Sequence, residues 1–174
     1  MDENLEGRIA LVTGAGQGMG KAVAKALAAR GAKVSVNDLD LDKAERTTEE
    51  LQQDGAEAMT LPGDVIKADE VRRMVEDTVE RFGAVHILVN NAGVLRPTKV
   101  IDISEEEWDW VVEVNLKGTF LCSQAVLPAM QEAGWGRIVN FSSTAGKNIS
   151  TVGGAHYTAA KAGILGFTRH LSRE

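Results

Sequence analysis

Short apolar runs alternate with longer amphipathic stretches along almost the whole chain. Ile9-Ala10-Leu11-Val12, Val34-Ser35-Val36-Asn37, Ala58 to Leu61, His86-Ile87-Leu88-Val89 and Arg137-Ile138-Val139-Asn140-Phe141 read as short buried strands. Between these runs the apolar residues fall three and four apart. Helices are predicted from about Gly18 to Arg30, from Leu41 to Gln53, from Asp69 to Phe82, and from Ser104 to about Leu127 with Pro128 beyond. In the third, Val71, Met74, Val75, Thr78, Val79 and Phe82 mark the inward stripe. Gly55 and Gly83 stand where the second and third should stop. Ser104 and Glu107 have capping-box spacing at the start of the fourth. A last helix begins near His156 and keeps its pattern to Glu174.

Parallel strands need crossover connections, and strand–helix alternation of this kind supplies them. The predicted fold is therefore α/β, a parallel β-sheet covered on both faces, in one domain over residues 1–174. The final helix has no stop signal and no strand follows it, so the sheet is expected to be incomplete at its C-terminal end.

Composition narrows the function classes. With 44% apolar and 25% charged residues in 174, the chain fits an ordinary globular domain. A net charge of -6 argues against nucleic acid or an anionic membrane as partner. No apolar run reaches the length of a membrane span, and the acidic start, MDENLEGR, is no secretory signal. The single cysteine, Cys122, can form no intrachain disulfide. A cytoplasmic location is expected. The three histidines lack metal-ligand spacing, so no metal is expected either.

The chemistry begins at Thr13-Gly14-Ala15-Gly16-Gln17-Gly18-Met19-Gly20, between the first strand and helix. Glycine allows the tight turn and lets backbone N–H groups approach a pyrophosphate at the positive helix end. Met19 breaks the G-x-G-x-x-G spacing, and the turn reads T-G-x-x-x-G-x-G on Gly14, Gly18 and Gly20. A ligand-free turn is the plainer alternative. Asp38 ends the second strand, where a carboxylate can bind adenosine ribose hydroxyls and repel a 2′-phosphate. A solvated strand-end acid would look the same. No lysine or arginine lies in the turn or beside Asp38 in sequence, which favours NAD over NADP.

Tyr157 is the only tyrosine, and Lys161 follows it by one helical turn, on the same face. A nearby ammonium favours the phenolate and moves the phenol toward proton transfer at neutral pH. Alone, such a pair is too common by chance to count as a motif.

Together, TGAGQGMG (13–20), Asp64-Val65, Asn90-Asn91-Ala92-Gly93, Asn115, Ser142-Ser143 and Tyr157-x-x-x-Lys161 resemble the short-chain dehydrogenase/reductase family, in its single-domain branch. The resemblance covers nearly the whole chain, and the motifs are specific jointly, not singly. It implies a three-layer, doubly wound Rossmann fold and hydride transfer between NAD(H) or NADP(H) and a secondary alcohol or ketone. It implies Tyr157 as acid/base and Lys161 as the group that lowers the phenol's pKa and holds the nicotinamide ribose. Ser143 would polarise the substrate oxygen, and Asn115 would hold a water in a proton relay behind the lysine. Gly14, Gln17, Gly18, Met19 and Gly20 would cradle the cofactor and Asp38 its adenosine ribose. Asp64 and Val65 would border the adenine, and Asn91 the inner ribose. The family further implies a homodimer or homotetramer built on the long helix and the Tyr157 helix.

The residues themselves leave alternatives open. Asn115 is a poor helix former among Val111, Val112, Val114 and Leu116, and a purely structural hydrogen bond would satisfy its amide. Asn90 to Gly93 also suits a strand end, and in the family this segment helps to hold the central sheet. Ser142 and Ser143 face opposite ways after a strand; the family's pattern favours Ser143, with Thr144 as fallback. His156 points about 100° away from Tyr157 on a helix and is read outside the catalytic set. Glu105 to Glu107 read as a favourable acidic first turn, and Trp108 as core or interface. The family's chains continue beyond the last helix with a segment over substrate and nicotinamide, expected to be absent here. A non-catalytic nucleotide-binding protein or an inactive fragment is the alternative reading. Substrate identity stays open between 3-oxoacyl carrier-protein thioesters, sugars, diols and steroids.

Overall fold

A computed structural model describes residues 4–174; residues 1–3, the start of the acidic N-terminal segment, lie outside it. The apolar runs become β1 (Ile9–Val12), β2 (Lys33–Asp38), β3 (Ala58–Pro62), β4 (Ile87–Asn90) and β5 (Arg137–Asn140). All pairings are parallel, in the order β3-β2-β1-β4-β5. The crossovers are α1 (Gly18–Ala28), α2 (Leu41–Gln53), α3 (Ala68–Phe82), α4 (Glu105–Val112) and α5 (Gly118–Glu132), and α6 (Ala155–Leu171) follows β5.

Strand alternation divides the core between two faces. Ala10, Val12, Val34, Val36, Ile87 and Val89 meet Ala24 of α1 and Ala44 and Leu51 of α2. Leu11, Leu61 and Leu88 point the other way, onto Val71, Met74 and Val75 of α3 and Cys122 and Val126 of α5. This is the three-layer, doubly wound Rossmann fold. From β1 the chain winds outward to β2 and β3, then returns across β1 to β4 and β5. The strand order thus reverses between β1 and β4, where the departing loops open a crevice suited to a ligand. The glycine turn leaves β1 there, and Asn91 to Gly93 leave β4.

Three boundaries differ from expectation. The helix predicted over 104–127 is interrupted by a π-helical turn, Glu113–Lys117, centred on Asn115. The Asn115 amide bonds Val94 O outside the helix as well as Val111 O within it, and a periodicity rule does not reach the first of these. Pro128 lies inside α5, which runs to Glu132. Its missing N–H would have bonded Gln124, and both residues are exposed, so water can take the freed carbonyl. Helix α6 ends at Leu171, and the Ser172 N–H closes its last turn on Thr168 O at 3.1 Å.

Candidate active site

The glycine turn is held in place by its neighbours across the crevice. Gly14 has φ +59, and a Cβ there would stand 2.9 Å from Ala92 Cα. A Cβ on Gly20 would lie 2.3 Å from Gly14 O, so Gly20 lets α1 sit tight beneath the turn. Gly18, with φ +57, faces open space at the start of α1, where a pyrophosphate can approach. The Asn91 amide donates to Thr13 O at 3.0 Å and Gly14 O at 2.9 Å, tying the exit of β4 to the turn. Asp38 is oriented from the same side: its carboxylate accepts from Gly16 N at 2.9 Å and Asp40 N at 3.1 Å. A cavity of about 390 Å³ follows, lined by Gly14, Gln17, Met19, Asp38, Asp64, Val65, Asn91, Gly93, Trp110 and Val114 among others. Most of the expected cofactor residues meet there. A larger depression, about 920 Å³, lies between the ends of α1 and α2 and contains none of them.

A second cavity of about 200 Å³ adjoins the first through Met19, Asn91 and Gly93. Asn115, Ser142, Tyr157 and Lys161 line it. The Lys161 ammonium is nearly buried, donates to Phe141 O at 2.8 Å, and lies 5.6 Å from the Tyr157 ring centroid. Burial pulls its pKa down to about 8, which leaves it mostly charged at neutral pH. Asn115 donates to Val94 O at 2.7 Å and Val111 O at 2.8 Å, while its Oδ1 is buried without a protein partner. A Cβ on Gly93 would meet that oxygen at 2.8 Å, so glycine is what leaves the amide room, and Lys161 Nζ would lie 3.6 Å from the same point.

The two serines separate by hydrogen bonding. The Ser142 hydroxyl donates to Lys161 O at 2.7 Å and is committed to holding α6. Ser143 Oγ accepts from Ala145 N at 3.1 Å as an N-terminal cap, which leaves its own proton available to a ligand. Ser143 is not among the residues lining the second cavity, and neither is Thr144.

A family model described as short chain dehydrogenase matches residues 8–174. The chain belongs to the short-chain dehydrogenase family. The 3-oxoacyl-[acyl-carrier-protein] reductase of Synechocystis sp. is 42% identical over 171 residues, 98% of this chain and 69% of that protein. The (2S)-[(R)-hydroxy(phenyl)methyl]succinyl-CoA dehydrogenase subunit of Thauera aromatica is 42% identical over 170 residues, 98% of this chain and 68% of the other. A crystal structure of a 3-oxoacyl-[acyl-carrier protein] reductase with bound NAD from Brucella melitensis matches with a TM-score of 0.91 at 40% identity. That match covers 97% of this chain and 66% of the other. The chain thus spans about two thirds of these relatives' length. Short-chain dehydrogenases are NAD(P)-dependent oxidoreductases that act on small molecules.

Within this short-chain dehydrogenase, several groups around the site escape sequence reading. Thr13 Oγ1 accepts from both Asn91 N and Ala92 N at 3.1 Å, so the residue before the first glycine locks the crevice. Asn90, Asn140 and Thr168 form a polar chain, with links of 2.8 and 2.9 Å, from β4 through β5 to α6. Lys43 packs against Gly16 near Asp38, although its ammonium is paired with Asp40 at 2.8 Å. Glu107 is more than an acidic first turn: it bonds the fully buried His156 at 2.9 Å. Trp108 is exposed, not core, with its ring 6.3 Å from that imidazole. Only the "S-x-x-E" spacing around Glu107 was visible in sequence; its partner lies 49 residues away. Among the described residues no cluster suits a metal ion, and no helix is long and apolar enough to cross a membrane.

Proposed function

We propose that this protein interconverts a secondary alcohol and a ketone, with Tyr157 as acid/base and NAD(H) as the cofactor. The observation that carries the reading is the convergence of Tyr157, Lys161 and Asn115 on one cavity continuous with the glycine-turn crevice. The residues fit a dinucleotide: glycine positions that a Cβ would fill, an acid at the end of β2, and a lysine with donors to spare. When bound, the nicotinamide supplies or accepts the hydride. The chain supplies the rest. In the oxidative direction the Tyr157 oxygen takes the hydroxyl proton; in the reductive direction the phenol donates it. Ser143 donates its free hydroxyl proton to the substrate oxygen. Lys161 steadies the ribose and keeps a positive charge beside the phenol. Asn115, with its unpartnered Oδ1 facing Gly93, holds a water of a proton relay behind Lys161.

Asp38 supports NAD over NADP, because its carboxylate stands at the ribose end of the crevice and the neighbouring cation, Lys43, is engaged elsewhere. The same reading includes a cytoplasmic homodimer or homotetramer. Phe120 of α5 is 41% exposed and meets Phe167 of α6 edge-on at 6.2 Å, which gives those helices an apolar surface to bury. Loss of NADH absorbance with ethyl acetoacetate, cyclohexanone and a 3-oxoacyl thioester, repeated with NADPH, tests the proposal. Turnover of at least one carbonyl, with NADH bound at least about tenfold more tightly than NADPH, is expected. Tight NADH binding without turnover of any carbonyl or alcohol would instead favour a nucleotide-binding role.

A further inference from the structure

Helix α6, which carries Tyr157, lacks an ordinary N-terminal cap. The residue before it is Gly154, which has no side chain to accept from the first free N–H groups. The acceptor comes from within the first turn instead. His156 Nδ1 takes the Tyr157 N–H at 2.9 Å. A neutral imidazole that accepts at Nδ1 carries its proton on Nε2, and Nε2 lies 2.9 Å from Glu107 Oε1. The two bonds therefore require the same tautomer. Glu107 is held in turn: the Thr98 hydroxyl first, then His156, keep its carboxyl below the usual range, with a smaller contribution from Arg96.

The pocket around the imidazole is closed. The ring is fully buried. A Cβ on Gly154 would stand 2.7 Å from both His156 Cε1 and Thr98 O, so glycine before the helix is what admits the ring. The Gly154 N–H bonds Arg96 O at 2.6 Å, fastening the same corner to the loop after β4. Glu107 belongs to α4, which leads into the π-helical turn of Asn115. One buried ring thus connects the helix of the relay amide to the backbone of the tyrosine.

We propose that Glu107 and His156 are positioning residues: the carboxylate fixes the imidazole as its Nε2–H form, and the imidazole fixes the backbone from which the Tyr157 phenol projects. The proposal rests on the reading of Tyr157 as acid/base. Proton transfer demands a phenol placed to within a fraction of an ångström, and a displacement of about 1 Å can cost a hundredfold in rate. Neither residue touches substrate in this account. They act through Tyr157.

The single tyrosine makes the test direct. Protein labelled with nitrogen-15 tyrosine gives one backbone amide signal, that of Tyr157, whose hydrogen exchange reports the bond to His156. Asparagine and glutamine each keep half of the imidazole. His156→Asn places an amide oxygen near the Nδ1 position, whereas His156→Gln places its amide nitrogen near Nε2. The Gln variant should lose protection of the Tyr157 amide and about tenfold to a hundredfold in kcat for ethyl acetoacetate reduction, with KM for NADH little changed. The Asn variant should keep the amide protected and recover most of kcat. Glu107→Gln, an isosteric change at a half-buried position, should give an intermediate kcat and a mixture of His156 tautomers in ring nitrogen-15 spectra. Equal protection and equal kcat in the Asn and Gln variants overturn the proposal, as does a loss of kcat with the Tyr157 amide unchanged. The amide and ring signals need no turnover, so an active Tyr157→Phe enzyme would remove the catalytic reading and leave the backbone result legible.

Discussion

Burying the Lys161 ammonium carries a cost in stability. The residue is 5% exposed, its ammonium makes one protein hydrogen bond, and burial lowers its pKa from 10.5 to about 8. The folded state therefore disfavours the charged form. Between pH 8 and the unfolded value near 10.5, the unfolded chain holds a proton that the folded chain has released, so stability rises with pH in that window. The rise is on the order of 3 kcal/mol. Chemical denaturation of the protein and of Lys161→Met across this range should show the gain in the former and its absence in the latter. Parallel curves for the two proteins would contradict the burial account. The tyrosine–lysine pairing was legible in the sequence because four-residue spacing is a local rule. The family's pattern alone favours Ser143 over Ser142; in the structure the Ser142 hydroxyl is spent on Lys161 O, while Ser142 and not Ser143 lines the cavity.

At the scale of elements, the five strands and the helices around them follow from runs and stripes within one segment of chain. The strand ends shift by only a residue or so from expectation. The features that sequence hid are those where a second element decides. Asn115 sits in a π-helical turn because its amide reaches Val94 O as well as Val111 O, and Val94 is 21 residues away. The entry of α4 is a local feature and behaves as expected: Ser104 Oγ accepts from Glu107 N at 3.1 Å. Ser104→Ala should lower stability by about 1 kcal/mol in denaturant titration. It should also lower turnover, because the same turn presents Glu107 to His156. Unchanged stability would mean that the cap is dispensable, and that α4 is held by packing alone.

For the whole molecule, the crevice exists because the strand order reverses between β1 and β4. Both strands are buried on both faces, and Leu88 is fully buried beside Leu11. Leu88→Ala should cost about 2–5 kcal/mol and, by loosening β4, should weaken NADH binding as well as folding. Calorimetry with and without NADH would show both effects; a mutant of normal stability would contradict the core assignment. Fold and family were legible from the order of the motifs, whereas the Asn90–Asn140–Thr168 chain across β4, β5 and α6 required the assembled sheet. The 3-oxoacyl-carrier-protein reductase and the succinyl-CoA dehydrogenase relatives are equally similar to the chain, at 42% identity. Whether Tyr157 is the acid/base is decided by turnover and NADH affinity of Tyr157→Phe against the unsubstituted protein. The phenylalanine variant should lose at least about a hundredfold in kcat while keeping the NADH dissociation constant within about threefold. Near-normal turnover in the phenylalanine variant would contradict it.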